Sequence, residues 1–485
     1  MFATIVTSVL ALILTAWAVI KWRGSYWERR GVVVADTTKF TFKTKKALSE
    51  IIFDQYRRGR ELKQKVLGTY VFTNPFLMVI DPAIIKRIMT KDFDHFLGHG
   101  TYHHPKDVLS MHLFSLEGEE WRHLRVKLTP TFTSGKMKMM FDTLVEKTHG
   151  LEKVVGQYAD SGEACEIKNI LGRFTTDIIG SCAFGIECNS LEEPNSDFRT
   201  FGKKVFQNAP KQLWKIFVIP KWILGQLNFK LSGNDVTEFF TKVVKDTIKY
   251  RETHNVLRKD FMHLLLQLKN GEKSITENEI IAQCFIFFLA GFETSSTAMN
   301  FALYELAVNE DIQEKLRTEI VEVLEKHDGK VTYDAVAEMK YLDLVVNETL
   351  RKFPPVSAIP RICSKTYKIP DTDIVVEKGI RVQIPVWGIH RDPEYYPNPD
   401  VFNPENFTEE NKAKRPDFTF LPFGEGPRMC IGLRFGLLQT KVGLISLLRN
   451  YRFTLNNKTK IPFEMEKSGI ILSVKGDIWL DVKRV

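Results

Sequence analysis

The sequence predicts a mainly helical protein with small β-sheets, an α+β fold, in which one large globular domain follows an N-terminal membrane helix. Helical periodicity dominates from Glu119 to about Leu350. Residues 365–386 change to a two-residue period, which is typical of strands. The 485 residues are 44% hydrophobic and contain no repeat of 20 to 50 residues, so a single large body is the simplest architecture.

Residues 1–20 form the predicted membrane helix. They contain no charged residue, and their helical rise of about 30 Å matches the hydrocarbon core of a bilayer. Small residues at Ala16 and Ala18 also fit a cleaved signal peptide, but the basic segment that begins such a peptide is missing. Residues 21–47 are predicted as a basic linker, and residues 48–485 as the folded body.

The net charge of +9 is concentrated beside the predicted membrane helix. Residues 21–66 hold 13 Lys or Arg against 5 Asp or Glu, a surplus of 8. Positive charge after the span predicts a cytosolic body that touches anionic lipid rather than nucleic acid, with a solvated basic face as the alternative. The six cysteines form no C-x-x-C pair, which fits a reducing compartment without structural disulfides.

The most informative segment runs from Phe423 to Gly432 and has the spacing F-x-x-G-x-R-x-C-x-G. Cys430 precedes a predicted helix over 433–450, whose free N–H groups favour the thiolate form that ligates a metal. Gly432 lets the chain pass close to a flat ligand, and Arg428 can bind a carboxylate through two hydrogen bonds. A lone cysteine would instead be interpreted as a small buried apolar residue.

A second informative segment lies within a long predicted helix. The capping box Thr276–Glu279 begins this helix, and residues 280–290 are apolar on all sides, which indicates a buried core helix and not a membrane span. Residues 291–297 then bring one glycine and four hydroxyl residues, at a cost of about 3 kcal/mol in helix propensity. Such a cost favours a functional reason, and hydroxyl bonding to carbonyls four residues earlier is the alternative.

Both segments resemble signatures of the cytochrome P450 family. The cysteine segment resembles the haem-thiolate signature, and A-G-x-E-T-S at Ala290–Ser295 resembles the oxygen-activation segment of the family. The resemblance covers the chain from the anchor to Val485, with its motifs in the family's order. The further motifs are W-x-x-x-R at Trp121 and Arg125, E-x-x-R at Glu348 and Arg351, and the proline-rich segment 399–407.

The resemblance implies haem b, iron protoporphyrin IX, as the cofactor, with Cys430 as the axial ligand of its iron. It assigns side chains to the haem carboxylates, namely Trp121, Arg125, Arg361 and Arg428. An aromatic residue packed under an ordinary surface arginine is the alternative for the first two. Phe423 and Gly432 are placed beside the ring, where Phe423 would cover the sulfur side.

Two acid–base residues are implied on the long helix. Thr294 would exchange a hydrogen bond with dioxygen where the helix is locally opened, and Glu293 would relay protons. Glu348 and Arg351 are implied as a buried structural pair. Most relatives add an arginine where this chain has Asn406, so a full three-member charge network is not expected. The implied substrate pocket is lined by Phe114, Ile286, Ala290, Ile359 and Ile470.

The resemblance implies an enzyme, a haem-thiolate monooxygenase with residues 48–485 as its catalytic domain. It would insert one atom of O₂ into lipophilic substrates with electrons from NADPH through a separate reductase, and cytochrome b5 is a further expected partner. The expected location is the endoplasmic reticulum membrane, single-pass and microsomal, with the body in the cytosol. Segments 128–141 and 175–189 are similar to insect microsomal members that metabolise xenobiotics such as plant toxins and insecticides.

Three alternatives to this function share part of its chemistry. Synthesis of an endogenous hormone or lipid would use the same chemistry. A non-catalytic haem sensor would keep Cys430 but would not need the costly segment 291–297. A haem-thiolate isomerase would need neither Thr294 nor a reductase.

Three histidines, His99, His103 and His104, form the remaining cluster of potential metal ligands. No zinc-type partner spacing accompanies them, so a solvated loop is the favoured interpretation. In the P450 family this loop borders the substrate pocket.

Overall fold

The computed structural model describes residues 2–35, 44, 46–269, 274–467 and 471–485. The predicted mainly helical fold with small sheets is confirmed. The helices are α1 Phe2–Gly24, α2 Leu48–Glu61, α3 Pro82–Lys86, α4 Gly118–Leu128, α5 Ser134–Ser161, α6 Ile167–Ile179, α7 Asp197–Val218, α8 Lys221–Gln226, α9 Asn234–His254, α10 Phe261–Lys269, α11 Glu277–Val308, α12 Glu310–Lys326, α13 Tyr333–Glu338, α14 Lys340–Lys352, α15 Val386–His390, α16 Glu409–Ala413 and α17 Leu433–Leu448. The strands are β1 Val66–Val71, β2 Asn74–Val79, β3 Cys165–Glu166, β4 Ile359–Ile362, β5 Tyr367–Lys368, β6 Val375–Val376, β7 Arg381–Ile384, β8 Tyr451–Leu455 and β9 Trp479–Arg484.

The strands form three small sheets at the edge of the helical body. The largest has the order β1-β2-β7-β4, in which only the β2–β7 pair is parallel among its described pairs. The others have the orders β3-β9-β8 and β5-β6. The two-residue period of 365–386 therefore spans two sheets. Gly379, with φ of +92°, turns the chain between β6 and β7.

Helix α11 is the central element of the body, and it packs against α6, α14 and α17. It begins at the predicted capping box, in which the Thr276 hydroxyl accepts from the Glu279 N–H and the Glu279 carboxylate accepts from the Thr276 N–H at 2.7 Å. The helix is continuous to Val308, so the expected local opening within 291–297 is wrong. The hydroxyls of Thr294, Ser296 and Thr297 form hydrogen bonds without interrupting the helix.

Both α1 and α11 are long and apolar enough to cross a membrane by length and composition. The most apolar window of α11 is 61% buried inside the protein, whereas that of α1 is 0% buried. Burial inside the body accounts for the apolar character of α11, and α1 is left as the candidate membrane span.

The chain that follows α1 is attached to the largest sheet. Trp27 is fully buried against Gly68, where an added Cβ would lie 2.6 Å from the indole ring. The Trp27 N–H donates to the Tyr70 hydroxyl at 3.0 Å, and Val34 forms a bridge to Gly68. Part of the segment after the helix is therefore packed against the body.

The E-x-x-R residues form a fully buried ion pair on α14. Arg351 Nε and Nη2 donate to the two Glu348 carboxylate oxygens at 2.7 and 2.9 Å, and both side chains are 0% exposed. Arg351 Nη1 also donates to the His390 carbonyl at 2.9 Å. The pair therefore joins α14 to α15, ahead of the loop that leads to Cys430.

Asn406 completes this pair with an amide in place of a charge. Its Nδ2 lies 3.2 and 3.3 Å from the two Glu348 oxygens, and the Asn403 N–H donates to the same carboxylate at 2.8 Å. Arg415 donates to the Asn406 carbonyl, and its guanidinium stacks over Tyr396 at 4.6 Å. Arg415 is thus a cation close to this pair, but it binds the backbone carbonyl of Asn406 and not the Glu348 carboxylate.

Removing the cation of the buried pair should destabilise the fold strongly. We expect Arg351→Met to reduce the free energy of unfolding by about 3–5 kcal/mol, because it leaves Glu348 charged, buried and unpaired. The measurement is urea unfolding of the purified protein, followed by circular dichroism.

Arg317→Met supplies the matched control, since Arg317 pairs with Glu314 at the same i, i+3 spacing but with 28% and 50% of the two side chains exposed. We expect the control to lose about 0.5 kcal/mol or less. Equal, small losses in both variants would contradict the structural role of the Glu348–Arg351 pair.

Candidate active site

The cysteine loop, residues 423–432, has a conformation that only glycine allows at position 426. The Cys430 N–H donates to the Phe423 carbonyl at 2.9 Å and closes the loop. Gly426 has φ of +73°, and a Cβ there would lie 1.9 Å from the Met89 carbonyl oxygen. Gly432 is the N-cap of α17, and a Cβ added to it would meet no heavy atom within 4 Å. Its side of the loop faces open space.

Cys430 combines an exposed side chain with a desolvated thiol. Its surface is accessible, yet surrounding protein raises the pKa of the thiol by desolvation. The Gly432 N–H and the charge of Arg125 act in the opposite direction and favour the thiolate. Accessibility together with desolvation indicates that the sulfur faces an internal space and not bulk water.

Three arginines converge on this loop from different elements. Arg125 on α4 donates to the Met429 carbonyl at 3.0 Å. Arg428 donates to the Leu97 and Leu116 carbonyls at 2.8 and 2.6 Å. Arg361 on β4 is 1% exposed, its Nε has no partner, and its Nη1 donates to the carbonyl of its own neighbour Pro360.

The charge of these arginines is not balanced by a paired carboxylate among the described residues. Burial lowers the pKa of Arg361 to about 10. Burial and the charge of Arg361 lower the pKa of Arg428 to about 9, with a smaller contribution from Arg125, and the Glu117 carboxylate only partly opposes them. Buried cations of this kind need an anion. A flat cofactor with two carboxylates beside an accessible cysteine meets that need, so the residues present fit haem.

Trp121 fixes one of these cations. The Arg428 guanidinium carbon lies 4.2 Å from the centroid of the Trp121 ring, and the ring itself is 3% exposed. Trp121 and Arg125 lie on the same face of α4, which brings both members of the W-x-x-x-R motif to the cysteine loop. The arginine over the Trp121 ring is thus Arg428, while the half-buried Arg125 reaches the loop through the Met429 carbonyl.

Helix α11 forms the facing wall of the site. A Cβ added to Gly436 on α17 would lie 3.9 Å from the Ser295 hydroxyl, so the segment 291–297 contacts the helix that follows Cys430. Ala290 is exposed although most of the helix around it is buried. The Thr294 hydroxyl donates to the Ala290 carbonyl at 2.6 Å and keeps its lone pairs as acceptors.

Glu293 has a lysine partner on α6 that the sequence motifs did not indicate. Lys168 Nζ lies 2.9 Å from Glu293 Oε1 and donates to the hydroxyls of Ser296 and Thr297 at 3.0 and 2.6 Å. Burial would raise the pKa of Glu293, but Lys168, with the more distant Arg199 and Lys203, holds it below its usual value. Glu293 is therefore an ionised carboxylate at neutral pH.

Four of the five expected pocket residues lie in described parts of the chain, and none of these four is buried. Phe114 is 45% exposed, Ala290 is exposed, and Ile286 and Ile359 are half-buried. A Cβ added to Gly424 would lie 3.6 Å from Cδ1 of Ile359, which places this residue beside the cysteine loop. Ile470 lies outside the described residues.

The solvated-loop interpretation is wrong for His99. The residue is 8% exposed and lies between Arg361 and Arg428, whereas His103 and His104 are half-buried. His99 contacts Phe114, 15 positions along the chain, and Arg428, 329 positions along it, and no local pattern reveals the second contact.

Comparison with known proteins agrees with this geometry. The family model for cytochrome P450 matches residues 40–480. The chain is 44% identical over 481 residues to "Probable cytochrome P450 6a23" of Drosophila melanogaster, covering 96% of this chain and 95% of the relative. It is 40% identical over 484 residues to "Cytochrome P450 6a2" of the same species, covering 95% and 96%.

The family match spans most of the chain, and the similarity to these relatives is full-length. It includes the cysteine loop, the arginines beside it and the facing helix in one continuous alignment range. This chain therefore belongs to the cytochrome P450 family.

Proposed function

We propose that this monooxygenase oxidises foreign lipophilic compounds, such as plant toxins and insecticides, at the endoplasmic reticulum membrane. Family membership makes it an oxidoreductase with haem b, which receives NADPH-derived electrons from a reductase and acts on lipophilic substrates. The xenobiotic role is supported by the resemblance of segments 128–141 and 175–189 to insect microsomal members. Apolar side chains that are not buried, at Phe114, Ala290 and Ile359, fit such substrates.

We assign Cys430 as the axial ligand of the haem iron. The observation that carries this assignment is an accessible thiol in a desolvated space beside two buried arginines, Arg361 and Arg428, and the half-buried Arg125. None of the three forms an ion pair with a carboxylate among the described residues. Arg125, Arg361 and Arg428, with Trp121 beneath Arg428, would bind the haem carboxylates. Phe423 and Gly432 would border the ring. When bound, the haem supplies oxygen activation, and a thiolate ligand favours cleavage of the O–O bond.

The chain's own residues would control proton supply at this site. The Thr294 hydroxyl can accept a hydrogen bond while it donates to Ala290, and it can turn toward a ligand at little cost. The Glu293 carboxylate is one residue away and ionised. Lys168 positions this carboxylate and supplies the nearest exchangeable protons, so we propose the order Lys168, Glu293, Thr294 for proton delivery.

We further propose a single-pass membrane topology with the catalytic body in the cytosol. Residues 1–20 would act as the anchor, residues 21–47 as a basic linker at the lipid surface, and residues 48–485 as the catalytic domain. The apolar surface of α1 and the positive charges after it support this arrangement. Cytochrome b5 is proposed as a second electron donor to the same body.

Reconstitution tests the substrate class directly. We expect the full-length protein in lipid vesicles, with NADPH–cytochrome P450 reductase, to convert lipophilic plant toxins or insecticides to hydroxylated products. Steroid hormones and fatty acids form the comparison panel. Turnover restricted to one hormone or fatty acid would contradict the xenobiotic assignment and favour endogenous synthesis. Addition of cytochrome b5 to the same vesicles tests the second donor.

The Lys168–Glu293 pair predicts a shift in pH dependence. In Lys168→Met the largest influence that lowers the pKa of Glu293 is gone, while burial still raises it. The carboxylate then becomes protonated at a higher pH than in the wild type. We expect the acid limb of the product-to-NADPH coupling profile to move to higher pH, with more peroxide released on that limb.

Lys147→Met is the matched control, because Lys147 is a 15% exposed lysine paired with Glu187 away from α11. Its coupling profile should follow the wild type. Superimposable profiles for Lys168→Met and the wild type would refute the proposed delivery order.

A further inference from the structure

His99 lies inside the group of cations that the haem carboxylates would meet. Its ring stacks on Phe114, with centroids 4.2 Å apart and planes at 20°. Its Nδ1 is 2.9 Å from the Phe114 carbonyl and 3.3 Å from Arg428 Nη1. The loop therefore fixes the imidazole at the arginine that precedes Cys430 by two positions.

The hydrogen bonds of His99 fix its tautomer. A nitrogen 2.9 Å from a carbonyl oxygen must carry a proton, so Nδ1 donates to Phe114. In the neutral ring Nε2 is then an acceptor, and it has no hydrogen-bond partner within the described ranges. Because Nε2 and a carboxylate oxygen are both acceptors, a hydrogen bond between them requires one additional proton.

The charges around His99 explain why this proton is absent without an anion. Arg361 reaches it from β4 and Arg428 from the cysteine loop, and buried His112 lies on its own loop. Arg125 on α4 approaches Arg428, and the carboxylate of Glu117 on the same loop accepts from the Gly100 N–H at 3.1 Å. Burial and the two arginines lower the pKa of His99 well below its usual value. Two added carboxylates would offset the charges of Arg361 and Arg428 and so favour a proton on the imidazole.

We propose that His99 is a further haem-binding residue, whose Nε2 shares one proton with a haem carboxylate. The proton comes from solvent and forms an N–H···O hydrogen bond, so haem binding takes up one proton at this site. This inference rests on the haem site assigned above. It makes haem retention depend on pH, because the shared proton is lost as pH rises.

Haem transfer from the holoenzyme to an excess of apo-globin measures this contact. We expect wild-type haem loss to accelerate as pH rises from about 6 to 8.5, since the histidine contact then disappears. His99→Phe keeps the stacking on Phe114 but has no proton to share. It should lose haem ~10-fold faster than the wild type near pH 6, with a smaller difference near pH 8.5.

His99→Arg carries a fixed charge in place of the titrating ring. It should retain haem at every pH in this range without the rise of the wild type. His112→Phe is the matched control, because His112 is also a buried histidine of this loop but contacts the Ser115 N–H and hydroxyl. Its haem loss should keep the wild-type pH dependence.

Two results would overturn the proposal. The first is the same haem-loss profile for His99→Phe as for the wild type. The second is a rate of haem loss from His99→Arg that increases with pH as it does in the wild type. This second test applies even if His99→Phe does not fold. A carbon monoxide spectrum of each protein separates this failure from failure of the haem site, since only the latter removes thiolate ligation from the wild type.

Discussion

Positive charge buried beside Cys430 is the constraint on which the arrangement of this site depends. Arg125, Arg361 and Arg428 come from α4, β4 and the cysteine loop, and none has a paired carboxylate among the described residues. Such cations are costly unless an anion joins them. Burial lowers their pKa values, which means that the charged guanidinium groups are destabilised inside the protein. Two cofactor carboxylates would stabilise these charges.

The rest of the fold serves to hold the walls of that space. Arg351 and Glu348 join α14 to α15 without solvent contact, and Gly426 passes within contact distance of the Met89 backbone. Helix α11 remains regular across the site. Its Thr294 hydroxyl donates to the Ala290 carbonyl, and its Thr297 hydroxyl accepts from Lys168. The propensity cost of segment 291–297 is thus offset partly by these bonds, and hydroxyl bonding to a carbonyl four residues earlier is observed for Thr294.

Sequence reasoning succeeded where the physical cause is local. The capping box at Thr276 and the spacing around Cys430 are set by neighbours a few positions away, so their elements could be predicted. Long-range partners left no such pattern. Lys168 reaches Glu293 across 125 positions, and His99 contacts Arg428 across 329 positions. The continuity of α11 was also missed, because propensity alone does not include the lysine that binds its hydroxyls.

Thiolate ligation by Cys430 is the central claim, and a carbon monoxide difference spectrum of the reduced, membrane-expressed protein tests it most directly. The account predicts a strongly red-shifted Soret band in the wild type and in Cys363→Ala, whose thiol is buried in the sheet region. The band should disappear in Cys430→Ala. A histidine-type band in the folded wild type, or a red-shifted band that survives in Cys430→Ala, would contradict it.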